Sequence, residues 1–109
     1  MFSALPAEVL GPALSERESI ADVCYRSILS IDHNDEKLLL SALTDDVYAE
    51  IGDETSTSMT QTKTIACDRV AALDTTHFIS NMRTSIERST TATATCSTLA
   101  QLTPAGKGF

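Results

Sequence analysis

The sequence predicts an α+β domain, helical in its first half and closed by a β-hairpin in its second. In "SERE", Ser15 stands three residues ahead of Glu18, the capping-box spacing in which side chain and backbone donors satisfy each other at a helix start. Behind it Ile20, Val23, Cys24, Ile28 and Ile31, with Ser27 completing the face, repeat at the 3.6-residue period of a helix buried on one side. Far downstream, "THFISNMRTSIE" and "TTATATCSTLAQL" are β-rich runs separated by the turn-like "RSTT", and they are expected to pair antiparallel.

Taken in order, residues 1–14 carry two prolines and no apolar period, and they read as a flexible N-terminal arm. A single domain is expected over residues 15–109. The first helix runs from Ser15 to about Ile31. "DHND" breaks it and supplies a new N-cap, after which "EKLLLSAL" forms a short apolar second helix stopped by "TDD". "VYAEIG" alternates Val47, Ala49 and Ile51 against Tyr48 and Glu50, a strand ending at Gly52. The Ser/Thr-rich segment Asp53 to Thr62 has no apolar periodicity and reads as a loop or lid. "KTIACDRVAAL" recovers helical spacing through Ile65, Ala66, Val70 and Leu73. In the last run Ala92, Ala94, Cys96, Thr98 and Ala100 share one face, small and apolar enough for another layer to approach closely. "TPAGKGF" closes the chain as a turn.

At 109 residues the chain is the size of one domain, and a hydrophobic fraction of 42% is ordinary for a globular protein. A net charge of −7 with only 8 Lys and Arg opposes a phosphate-backbone partner, so no nucleic acid is expected. No apolar run approaches the roughly 20 residues that span a bilayer. The N-terminus lacks the basic start and sustained apolar stretch of a secretory signal, so a cytoplasmic location and no membrane partner are expected. Cys24, Cys67 and Cys96 are odd in number and widely spaced, which fits reduced thiols better than disulfides or a zinc site. No Gly-rich phosphate loop, HExxH or GxSxG motif occurs, and no metal or cofactor is expected.

The element order, together with "SIDHNDEKLLLSALTDDVYAEIG" and "DTTHFISN", resembles the SnoaL-like domains of the nuclear-transport-factor-2-like superfamily over roughly Ser15 to Gln101. That resemblance implies a cone: a curved antiparallel sheet wrapped around N-terminal helices, here apparently short of its last strands. It implies a deep pocket for a small hydrophobic metabolite of polyketide or terpenoid type. Activities in such relatives include dehydration, isomerisation and cyclisation without a cofactor, beside members that only bind or assemble. In scytalone-dehydratase-like members an Asp ending the first helix holds a His that opens a central strand. Carried over, these are Asp32 and His77. Other positions depart from that pattern: Ile31 and Ile51 stand near positions held by tyrosines there, and Cys96 falls about where a second histidine is expected.

Read as chemistry, Asp32 bonded to one ring nitrogen of His77 would fix the tautomer and leave the other nitrogen to exchange a proton near neutral pH. The plainer alternative is a helix-capping Asp and a half-buried His satisfied by backbone. Strand alternation sets His77, Ile79 and Asn81 on one face and Phe78, Ser80 and Met82 on the other, which makes Asn81 a candidate substrate contact or a cross-strand polar pair. Tyr25 and Tyr48 are further candidates for substrate binding, and packing is the alternative for Tyr25. His33 is expected in solvent, Asp45 and Asp46 in a turn. Three functions fit: a cofactor-free proton-transfer enzyme, a binding protein of the same fold without chemistry, or a structural fragment folded only as a dimer through its exposed sheet. A homodimer is expected because the last strand would otherwise be an uncovered edge.

Overall fold

The computed structural model describes residues 5–70 and 72–107. Helix α1 spans Glu16–Asp32 and α2 Glu36–Ser41; strands β1 (Ala49–Ile51) and β2 (Glu54–Ser56) follow. Helix α3 (Met59–Lys63) passes directly into a π-helical segment, Thr64–Val70, before the long strands β3 (Asp74–Arg88) and β4 (Thr91–Thr103). The class is α+β, as expected. Among the described residues the strands form two separate antiparallel hairpins, β1–β2 and β3–β4, and they do not close into one cone.

The capping box opens α1 as its sequence predicts. Ser15 Oγ accepts the Glu18 amide at 3.1 Å, and the Ser15 amide donates to Glu18 Oε1 at 3.0 Å. Each bond satisfies a donor that a helix start otherwise leaves orphaned. Along the helix Ile20, Cys24, Ser27, Ile28 and Ile31 are half-buried, whereas Val23 lies at the exposed margin of the stripe. Arg26 pairs with Asp22 one turn back and donates to the Ser41 carbonyl at 2.7 Å and hydroxyl at 2.8 Å, which ties α1 to the end of α2. Arg17 reaches the Thr84 carbonyl and ties the start of α1 to β3.

Asp35 caps α2: its Oδ1 accepts the Leu38 amide at 3.1 Å while Oδ2 accepts the Leu5 amide at 3.0 Å. Leu38 and Leu39 on α2, with Ile65 and Ala66 on the π-helical segment, are the buried apolar residues among those described. This is a small core. No helix among the described residues is long and apolar enough to cross a membrane.

The segment expected as a loop, Asp53 to Thr62, instead holds β2 and most of α3. Gly52, with φ +62°, makes the tight turn that folds β2 back on β1, a conformation that costs glycine little. Ser58 then caps α3 by accepting the Gln61 amide at 3.1 Å, and Gln61 Oε1 accepts the Thr57 amide at 2.9 Å. Where an apolar side chain would ordinarily pack, Ser56 and Thr62 bury their hydroxyls against each other at 2.7 Å. Paired hydroxyls fill the interior here, so hydrophobic periodicity could not reveal it. The third helix therefore starts at Met59 rather than Lys63, and the single strand expected at Val47–Gly52 is half of a hairpin.

In β3–β4 the pairing runs from Asp74↔Thr103 to Arg88↔Thr91, with register shifts between Ser80 and Arg83 and between Ile86 and Arg88. Asn81, with φ +56°, sits in the first shift. A bulge of this kind inserts one residue and inverts the side chains that follow it, up to the next shift. Accordingly Thr75, His77 and Ile79 are turned inward before it, and Met82, Thr84 and Ile86 after it. The expected shared face of His77 and Asn81 is thus corrected: Asn81 is exposed, and Met82 takes the inward place.

The box at α1 predicts a pH dependence. Its hydrogen bonds to the Ser15 backbone and hydroxyl hold the Glu18 carboxyl below the usual range. A depressed folded-state value stabilises above the ordinary Glu range, near pH 4.3, and that stabilisation is lost as pH falls through it. Urea melts of the protein and of Glu18→Gln are expected to differ at pH 7 and to converge below about pH 4; a constant difference would contradict the charged box.

Candidate active site

Asp32 is the last residue of α1, with no basic residue in the final turn. A carboxylate there opposes the negative end of the helix dipole, a cost of roughly 0.3–1 kcal/mol. What offsets that cost comes from another element. The first residues of β3 supply three donors to the Asp32 carboxylate: Thr75 Oγ1 donates to Oδ1 at 2.9 Å, His77 Nδ1 lies 2.5 Å from Oδ1, and the His77 amide donates to Oδ2 at 3.0 Å. The two-residue period of the strand puts Thr75 and His77 on one face, toward the helix end. Both partners are largely enclosed, the His77 side chain at 11% exposure and the Asp32 side chain at 13%.

This geometry fixes the imidazole. A carboxylate only accepts hydrogen bonds, so the nitrogen facing it carries the hydrogen, and the neutral ring is the Nδ1–H tautomer with a lone pair on Nε2. Among the described residues Nε2 meets no protein partner. No buried side-chain nitrogen or oxygen among them lacks one. Nε2 therefore reaches accessible surface, where it can take or give a proton.

None of the other candidates hydrogen-bonds to this pair. The Tyr48 hydroxyl donates to Glu50 Oε1 at 2.7 Å on a side chain that is mostly in solvent, and that bond pushes the phenol pKa up. Tyr25 is exposed on α1. The Asn81 amide lies 3.5 Å from Ser97 Oγ, the cross-strand contact that was the alternative to a substrate role. Burial pushes the Cys24 and Cys67 thiols up, with Cys96 adding to the effect on Cys24 and Glu36 to that on Cys67. Such thiols stay protonated and unreactive. Among the described residues no group of three or more His, Cys, Asp or Glu is gathered to hold a metal ion. Thr75 was not anticipated. A threonine in a β-rich run is ordinary by composition, and only its two-residue offset from His77 hinted at a shared face.

A cleft of about 380 Å³ lies elsewhere, between the start of α1 and the far end of the hairpin, lined by Leu14, Ile20, Ile86, Arg88 and Ala92 among others. It sits at the opposite end of α1 from Asp32.

The SnoaL-like domain matches residues 12–109 of this sequence. The chain belongs to the SnoaL-like family. It is 37% identical over 106 residues to the terrestric acid biosynthesis cluster protein E of Penicillium crustosum, an alignment covering 97% of this chain and 67% of that protein. No solved structure matches it. The SnoaL-like chain thus has a relative named for a biosynthesis cluster, and the family its sequence resembles is its own.

Proposed function

We propose that this SnoaL-like chain is a small cofactor-free enzyme that moves a proton on an apolar polyketide- or terpenoid-like metabolite, as a dehydratase, isomerase or cyclase does. His77 is the general base and acid, and Asp32 orients it. One observation carries the reading: the Asp32 carboxylate, itself held by Thr75 and the His77 amide, meets Nδ1 and leaves Nε2 without a protein partner among the described residues. In the forward step the Nε2 lone pair takes a proton from a carbon made acidic by a neighbouring carbonyl. The imidazolium so formed is stabilised by Asp32, and Nε2–H returns the proton to another carbon or to a departing oxygen. The relative's place in a biosynthesis cluster supports a small metabolite as substrate.

A second reading, a binding module without chemistry, is favoured by the cleft at the other end of α1, lined by both apolar and polar side chains, which does not include His77. Proton exchange separates the two. Incubated in D₂O with a panel of cyclic ketones and β-dicarbonyl compounds, the protein is expected to exchange α-hydrogens of those it binds. His77→Ala is expected to lose at least about 100-fold of that rate while still binding them, the scale general-base catalysis contributes. Equal exchange by both proteins would exclude the dyad mechanism.

The chain also forms a homodimer through β4. All of β4 except Thr103 is exposed, and none of its residues is charged, so it carries none of the charges that usually block pairing at a sheet edge. Two copies meeting antiparallel about Ser97, the midpoint of Thr91–Thr103, would join two hairpins into one four-stranded sheet. Sedimentation equilibrium is expected to give a dimer, and Ser97→Lys a monomer. A wild-type monomer with a cooperative melt would rule the dimer out.

A further inference from the structure

We infer that Thr75 is a positioning residue for the imidazole, setting how strongly Asp32 grips it; the inference rests on the proton-transfer reading of the Asp32–His77 pair. Thr75 is 5% exposed, and it spends its hydroxyl on a carboxylate 43 residues away rather than on a nearby backbone carbonyl. Its neighbour Thr76, on the opposite face of the strand, makes no such bond.

The oxygen matters. Oδ1 receives both the Thr75 hydroxyl and Nδ1, while Oδ2 receives the His77 amide. Two donors from β3 therefore hold the carboxylate without help from the ring: a backbone amide on one oxygen and a buried hydroxyl on the other. The plane of the carboxylate is set before the imidazole joins it, so the ring finds the same acceptor whether it is neutral or protonated. Sharing has a second effect. A donor on Oδ1 draws negative charge from the oxygen that Nδ1–H faces, which weakens that hydrogen bond. Thr75 thus fixes the direction of the grip and moderates its strength. Valine has the branched shape of threonine without its hydroxyl, so it removes the donor and keeps the shape.

The test reads the ring itself. The chain holds two histidines, so His33→Gln assigns the His77 nitrogens in long-range ¹H–¹⁵N correlation spectra. The wild type is expected to show Nδ1 protonated and Nε2 bare. In Thr75→Val the Nδ1 resonance is expected to move downfield, as Oδ1 becomes a stronger acceptor for Nδ1–H alone. Thr75→Ser, which restores a hydroxyl, is expected to return it to the wild-type position. If Thr75→Val does not fold, Thr75→Cys, with a weak thiol donor, replaces it and is expected to move the resonance part of the way. An unmoved Nδ1 resonance in a folded Val or Cys variant would overturn the role of Thr75 and leave the dyad standing. So would a shift that serine fails to reverse, since shape rather than the donor would then be its cause. A wild-type Nε2–H tautomer would overturn the dyad and the inference together.

Discussion

The structure turns on one carboxylate. Asp32 ends the longest helix at the position where a negative charge is least welcome, and three donors from the first residues of β3 converge on it. That convergence fixes where the helix end meets the strand start, 43 to 45 residues away in sequence. The apolar core cannot do this job. Its buried members, Leu38, Leu39, Ile65 and Ala66, belong to α2 and the π-helical segment, not to α1 or the hairpin. Beside the half-buried apolar stripe of α1, polar contacts tie that helix to its neighbours: Arg17 to Thr84 near its start, Arg26 to Ser41 in its middle, and Asp32 to β3 at its end.

The same carboxylate links fold to chemistry. A charge satisfied by three hydrogen bonds is tolerated in a mostly enclosed place, whereas a bare one would not be. Because one of those donors is Nδ1, satisfying the charge also selects the tautomer. The helix end, the strand start and the basic nitrogen are consequences of a single cluster, and a substitution at Asp32 touches all of them.

Much of this was legible in the sequence, for reasons that differ by element. The start of α1 was written in Ser15 and Glu18, and the β3–β4 hairpin in β-branched runs broken by "RSTT". The strand β4 was legible in its alternation, but the layer expected to cover its Ala92, Ala94, Cys96 face is not among the described residues, and β4 is exposed from Thr91 to Leu102. The bulge at Asn81 left no trace, since asparagine tolerates a positive φ but does not demand one, and it reversed the facing of β3 from Met82 to Ile86. The segment Asp53 to Thr62 has no apolar period because its interior contact is a pair of hydroxyls, and its one local signal is the capping spacing of Ser58 and Gln61 in "SMTQ". At the site, Asp32 and His77 were visible through the resemblance of "SIDHND" and "TTHFIS" to SnoaL-like domains. Residue types alone would equally have fitted a cap and a satisfied histidine. Thr75 was not visible, since its role depends on a bond across the fold.

The most direct measurement is a double-mutant cycle on unfolding free energy with Asp32→Asn, His77→Gln and the double variant, in urea at pH 7. If the carboxylate and the imidazole bind each other as described, the coupling energy should be about 0.5–3 kcal/mol, the range for contacting residues that share a hydrogen-bond network. A coupling indistinguishable from zero would mean that the two side chains do not meet in solution, and the helix end, the strand start and the proposed proton transfer would lose their common support.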